Sequence, residues 1–497
     1  GQCGMAAELL SPEAIVLAAR EKEKREELVQ AGAIQKLSQE LPLLWKQLQQ
    51  SGGPDACEAT TVVLRCFRNL CADCASAQSV ISGVPLAQIV DVLTAAVSDT
   101  ELPPGTVTLV SVGLQALGNA VSGSPENQQQ VWDAAYPNLF LTLLSAPWAT
   151  GAHHEYSLML LFNLCREEER REALVNSLAT DEASVLLLAM SWSSPRPDAG
   201  QWLSLLMERL VEDGLAPRLL SAVLTPCETE PPHAQRVRAA VYVVEAMRGL
   251  CTQPGAEAAG SSAPDAPSSG LDTPWDLDAQ GTCAWRDGTA SLARALRVLG
   301  PRVTPPPASE PERAELGPTD VTWVVRHVVR CLASASASDA SSFRQAARER
   351  GVAAAAVEVG KRLHVPPQQS QRNPDTVDDQ EPHHAWFGFR RDVINLIANL
   401  CYGNRETQDE VRENGGIPVV LSACCIDDLN PYIQQHAVWA IRTLTEDNDD
   451  NQRAIQELEA HRVESSPEEL DRLGLKPHLS EQGTLSLRPE GKPDGAA

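Results

Sequence analysis

A polar residue followed nine positions later by glutamine, then by an aliphatic residue three positions further on, recurs along this chain. Asn399-Leu400-Cys401 leads to Gln408 and Val411, and Thr443-Leu444-Thr445 leads to Gln452 and Ile455. These two copies lie forty-four residues apart, a period typical of helical repeats that stack into a solenoid. Upstream, Asn69 leads to Gln78 and Ile81, Asn119 to Gln128 and Val131, and Asn163 to Glu172 and Val175. The intervals between successive copies vary, but the nine-residue offset does not. Weaker copies follow at Met207-Glu208-Arg209-Leu210, Met247-Arg248-Gly249-Leu250-Cys251 and Val328-Val329-Arg330-Cys331-Leu332.

The residues around each copy read as helix. Val393, Leu396, Ile397 and Leu400 fall at i, i+3, i+4 and i+7, one apolar face. Ile433, Ala437, Ala440, Ile441 and Leu444 carry the face of a second helix, for which Asn430-Pro431 is expected to supply the N-cap and first turn. Gly415-Gly416-Ile417-Pro418 breaks the chain before another short helix. Aromatic residues make up only 4% of the sequence, and no β-branched run alternates over a strand length. The expected fold is all-α, an armadillo-like α-solenoid (an α-α superhelix) interrupted by disordered insertions.

The expected layout follows from composition. Residues 1–251 hold N-terminal repeats; the helix at Ala14–Leu28 and the turn Leu28–Ile34 form a partial first repeat that caps the end, and Gly52-Gly53-Pro54 closes it. Residues 252–320 are rich in Pro, Ala, Ser, Gly and Asp. Such a stretch buries too little apolar area to offset its ordering entropy. A short helix at Ala290–Leu299 interrupts it. A further repeat spans 321–363, a polar loop 364–385, the best-organised repeats 386–460, and a flexible tail 461–497.

Charge and cysteine usage exclude several classes. The net charge of −25 argues against non-specific nucleic-acid binding, which needs clustered Lys and Arg. The sequence has no apolar run long enough for a membrane span, and its start lacks the basic-then-apolar order of a secretory signal. Thirteen cysteines scattered through helical patterns read as reduced thiols. Cys66, Cys71 and Cys74 match an iron–sulfur spacing, with Cys57 upstream, but Cys66 and Cys71 lie on the apolar helix of Asn69, so buried structural thiols are the expected reading. His154-Glu155 begins a zinc-protease pattern that Leu158 breaks, and His383-His384 has no ligand partner at zinc spacing. Asp447, Asp449 and Asn451 resemble a calcium loop, yet Gln452 and Leu458 occupy its glycine and glutamate positions. No nucleophile elbow, phosphate loop or dinucleotide pattern occurs, so the chain is expected to be no enzyme and to need no cofactor.

The stretches FRNLCADCASAQSVI, GLQALGNAVSGSPENQQQVWDAAYPNLFLTLL and IANLCYGNRETQDEVRENGGIPVVLSACCIDDLNPYIQQHAVWAIRTLTEDNDDNQ resemble the ataxin-10 family. The resemblance is specific over roughly 60–145 and 386–460. It departs from the family at Thr443, where Asn is expected, and in the 252–320 insertion. It implies a cytoplasmic, non-enzymatic scaffold or adaptor, with perinuclear, midbody or centrosomal association. It also implies self-association into a homo-oligomer and a G-protein β subunit as partner. The implied roles are neuronal survival, neurite outgrowth through Ras–MAP-kinase signalling, and cytokinesis.

In armadillo arrays the third helix of each repeat lines a groove where Asn can bond the backbone of an extended ligand. Asn69, Asn119, Asn163 and Asn399 hold that register, and two readings stay open: each contacts a ligand, or each braces the neighbouring repeat. Receptors for basic localisation signals place Trp four residues before such an Asn. Only Trp439 has that spacing, and its partner is Thr443, which disfavours the alternative of a groove receptor for extended basic peptides. Thr273, Thr304 and Ser466 precede proline and form candidate phosphosites.

Overall fold

The computed structural model describes residues 11–98, 105–180, 184–193, 200–228, 234–251, 286–306, 320–337, 341–364, 386–458 apart from 426 and 428, 475–479 and 485–489. The described residues up to Val352 form one compact unit and those from Ala353 onward a second.

In the first unit, α1 (Pro12–Ala18) precedes four helical triplets. They are α2 (Lys22–Gln30), α3 (Ala33–Ser51) and α4 (Pro54–Cys71); α5 (Ala75–Val80), α6 (Val84–Val97) and α7 (Thr106–Val121); α8 (Pro125–Ala135), α9 (Asn138–Ser145) and α10 (Gly151–Leu164); and α11 (Glu168–Thr180), α12 (Val185–Ser193) and α13 (Gln201–Glu212). The third helices pack in succession, α4 on α7, α7 on α10 and α10 on α13. Then come α14 (Ala216–Leu224), α15 (Ala234–Cys251), α16 (Arg286–Leu299), α17 (Asp320–Ala337) and α18 (Ser341–Glu349), with α17 packed on α15. The second unit holds α19 (Val352–Arg362), α20 (Phe389–Cys401), α21 (Arg405–Glu413), α22 (Gly416–Ser422), α23 (Ile433–Thr445) and α24 (Asp449–Gln456), with α20 packed on α23. The expected apolar periodicity holds, since Val393, Leu396, Ile397 and Leu400 are all fully buried. Each contributes about 1.5–3 kcal/mol by leaving water. The fold is an armadillo-like α-solenoid.

Glycine makes the tight turn between the first and second helices of a repeat. Gly415 sits at φ +72°, and a Cβ on the next residue, Gly416, would lie 2.4 Å from the Val411 side chain. Gly32, Gly83 and Gly351 take positive φ at the same place in other repeats.

Four local expectations change. The single helix expected at Ala14–Leu28 is two, α1 and α2, broken at Arg20-Glu21. Arg25 stabilises the break, because its Nε donates to the Ala19 carbonyl at 2.8 Å and its Nη1 donates to the Ala72 carbonyl at the end of α4. Asn430 is not an N-cap: α23 starts later, behind Tyr432 at φ +63°, and the buried Asn430 side chain accepts from the Arg391 amide and donates to Asp427. The helix inside the 252–320 insertion, α16, packs against α14, α17 and α18, and buries Leu292, Leu296 and Leu299, so it belongs to the stack. Finally, the stretch expected as a flexible tail contains β1 (Leu475–Leu479) paired antiparallel with β2 (Leu485–Pro489), a departure from a purely helical chain.

Candidate protein-interaction surface

The nine-residue offset has a direct physical cause. Gln78 Nε2 donates to the Cys71 carbonyl at 3.1 Å, and so caps the end of α4, the third helix just before its own. Gln128 does the same to Val121, Gln408 to Cys401 and Gln452 to Thr445. In every case the acceptor lies two residues beyond the Asn or Thr of the motif. The last carbonyls of a helix have no partner within it, and a buried one left bare costs about 1–3 kcal/mol. Two of these amides also reach the next third helix: Gln78 donates to the Asn119 carbonyl of α7 at 3.0 Å, and Gln408 to the Thr443 carbonyl of α23 at 2.8 Å. The neighbour answers in kind. Asn127 Nδ2 donates to the Gln78 carbonyl at 2.7 Å, and Asn451 Nδ2 to the Gln408 carbonyl at 3.3 Å. Both units thus contain the same reciprocal amide clamp between adjacent repeats. In the repeat where Glu172 replaces the glutamine, a carboxylate has no hydrogen to give. Arg171 Nη1 takes over at the Cys165 carbonyl (2.9 Å), and Arg170 Nη1 at Leu164 (2.7 Å).

The four candidate asparagines lie on third helices, half-buried, with Asn69, Asn119 and Asn163 in the first unit and Asn399 in the second. Asn69 Nδ2 donates to the Val16 carbonyl at 3.1 Å, and Asn119 Nδ2 to the Arg68 carbonyl at 2.8 Å. Arg68 in turn donates to Asn69 and Gln115, so a continuous polar row crosses α4 and α7. At these two positions the bracing geometry is present. Asn119→Ala is expected to lower the stability of the first unit by about 1–2 kcal/mol, because the Arg68 carbonyl loses its donor. Denaturant unfolding measures this; unchanged stability would leave ligand contact as the role of the amide.

In the second unit Thr443 is buried, and its hydroxyl donates to the Ala440 carbonyl within α23. Trp439 is partly exposed. Its ring stacks with Tyr402 at 6.2 Å, and the Arg442 guanidinium lies over it at 5.5 Å. The place a basic peptide's cation would take on the indole is thus held by the chain's own arginine. Tyr402, Tyr432 and Val438, which periodicity alone did not single out, are exposed as well.

The remaining candidates resolve into structural parts. Burial pushes the thiols of Cys66, Cys71 and Cys165 up to about 12, so they stay protonated, and Cys66 Sγ donates to the Pro12 carbonyl. His154 stacks on Trp192 at 4.6 Å, and Glu155 accepts the Gly200 amide. Asn448, in the acidic turn, caps α24 by accepting from the Asn451 amide, and Asp449 and Asp450 fall in that helix's first turn, where the dipole favours acid. Thr304 is half-buried, with its hydroxyl 3.0 Å from that of Thr322. Thr273, Ser466, His383 and His384 lie outside the described residues. Among the described residues no three His, Cys, Asp or Glu side chains gather to hold a metal ion, and no helix is long and apolar enough to cross a membrane.

Comparison with known proteins matches residues 389–488 to a family model described as the spinocerebellar ataxia type 10 protein domain, whose short name denotes homo-association. Ataxin-10 of Xenopus tropicalis is 29% identical over 417 residues, covering 81% of this chain and 75% of that protein. Human ataxin-10 is 26% identical over 404 residues (80% and 76%), and a Dictyostelium discoideum ataxin-10 homolog is 44% identical over 101 residues (20% and 16%). Among solved structures, a designed armadillo repeat protein overlaps 71% of this chain and 99% of its own length at 14% identity, with a TM-score of 0.24. The segment of the family match carries both the clamp of Gln408 with Asn451 and the exposed aromatic residues, and the longer alignments run through the upstream repeats as well. The chain is thus similar to ataxin-10 over about four fifths of its length, on a fold of armadillo-like helical repeats.

Proposed function

We propose that this chain is a non-catalytic scaffold that binds protein partners on its repeat surfaces and associates with further copies of itself through the second unit. The observation that carries the reading is the match of residues 389–488 to a domain named for homo-association, on a unit with clustered exposed aromatic residues. Burial supports the reading of Cys71 and Cys165 as core packing, since it pushes both thiols away from reactivity. By the resemblance to ataxin-10, the partner is a G-protein β subunit, the roles are neurite outgrowth through Ras–MAP-kinase signalling and cytokinesis, and the location is the cytoplasm.

Two measurements on the full chain test the reading. Light scattering is expected to give a mass above that of one chain, rising with concentration, and immobilised chain is expected to retain purified G-protein β. A single-chain mass at every concentration sinks the self-association, and failure to retain the β subunit removes that partner.

A further inference from the structure

We infer that the outer face of α23 is the docking surface for the second unit of another copy, a proposal that rests on the self-association reading above. The observation is one of register. Five residues before the Asn or Thr of the motif stand Leu64, Leu114, Leu158 and Ile394, and each is 0–1% exposed. In each of these cases a further repeat follows and its helices close over the position. At the same register on α23 stands Val438, 64% exposed. Arg442, likewise exposed, matches Ala398, which is fully buried in α20. Thus α23 presents the face that its counterparts cover, and no further triplet follows it among the described residues.

The size of the face fits a protein partner. On α23 and beside it stand Tyr432, at its N-cap, 70% exposed, and Trp439 at 39%, with Tyr402, 51% exposed, stacked on the indole. A fully exposed aromatic side chain offers about 200 Å², so these three alone present roughly 300 Å² of largely apolar surface. A stable interface takes about 800 Å² from each partner, of which roughly 450–500 Å² is apolar. With Val438 added, the face supplies most of that share. Its rim carries both signs of charge: Arg442 on one side, and Glu446, Asp447 and Asp449 at the end of the same helix and the turn after it. A two-signed rim is self-complementary, so a second copy can set its acidic turn against Arg442. A third helix is also the element that this kind of face buries elsewhere in the chain, as α20 is packed by α23.

The test compares full-length Val438→Glu with Val84→Glu by sedimentation equilibrium over a wide concentration range. Val84 is equally exposed, at 68%, but lies in the first unit, so it controls for general stickiness. Both sites are at the surface, and circular dichroism should report unchanged helix content in both variants. The expected result is association weakened at least about thirtyfold by Val438→Glu and unaltered by Val84→Glu, the size of effect typical of a central interface residue. Wild-type chain that associates while Val438→Glu associates equally well overturns this face and leaves self-association standing. Wild-type chain that stays single overturns both. If Val438→Glu in that single chain also raised hydrogen exchange at 475–489, the occupant would be the chain's own hairpin.

Discussion

Leu400→Asp is expected to unfold the second unit. Leu400 is fully buried on the apolar face of α20, beside Leu396 and Ile397. Removing the leucine costs about 2–5 kcal/mol in lost burial and cavity, as Leu400→Ala would show by itself. The carboxylate adds a penalty of several kcal/mol more, since its neighbours on that face, Leu396 and Ile397, offer it neither charge nor hydrogen bond. The combined loss rivals the whole stability of an ordinary domain, about 5–15 kcal/mol. Hydrogen exchange should then lose its protection across 389–456, while peptides from the triplets containing Asn69 and Asn119 keep theirs. Retained protection in α20 and α23 would mean that the face does not hold this unit together.

Gln408→Glu should cost about 3–5 kcal/mol, a large effect for a change that preserves shape. Gln408 is 2% exposed, and its amide nitrogen faces the carbonyls of Cys401, Thr443 and Glu446, while its oxygen accepts from Asn448 Nδ2 at 3.0 Å. Glutamate keeps the acceptor and loses the donor. Its charge then sits against three carbonyl oxygens in a site nearly closed to water. The repeat bearing Glu172 escapes this, because Arg170 and Arg171 supply the donors and Glu172 itself pairs with Arg218 at the surface, 3.1 Å away. Urea unfolding of Gln408→Glu beside Gln452→Glu makes the comparison. Gln452 is exposed and caps only the end of α23, at Thr445, so its replacement should cost about 1 kcal/mol or less. Equal losses at the two sites would rule out the cross-repeat bond as the source of the effect.

The repeat spacing, the third helices and the glycine turns were legible in the sequence because each is a local constraint. An apolar stripe every three or four residues, or a glycine before Ile417-Pro418, needs no knowledge of neighbours. The partners of the polar residues were not legible in the same way. Asn119 and Gln128 look alike on paper, yet one reaches back from α7 to Arg68 on α4 and the other caps the end of α7 at Val121. Asn430-Pro431 has the composition of a cap, but tertiary demand from Arg391 and Asp427 claims the side chain. The importance of Val438 depends on knowing that no triplet follows α23 among the described residues, which a period alone does not reveal. The strands at 475–489 carry prolines and charged residues that read as loop, and only their mutual pairing makes them strands.

The clamp also governs where this chain can change length. A hydrogen bond drawn between fixed points works as a ruler, and the ruler here spans Asn69 to Gln78, Asn119 to Gln128, Asn399 to Gln408 and Thr443 to Gln452 without variation. Outside that span the tolerance is wide: from Asn69 to Asn119 is fifty residues, from Asn119 to Asn163 forty-four, and the long Pro- and Ser-rich stretch begins only after the helix that ends at Cys251. Growth of the sequence has two regimes, forbidden within the measured interval and free beyond it. A single residue inserted between Cys401 and Gln408 would put the amide out of reach of Cys401 and Thr443 together, and a join between two repeats would come undone through one miscounted step.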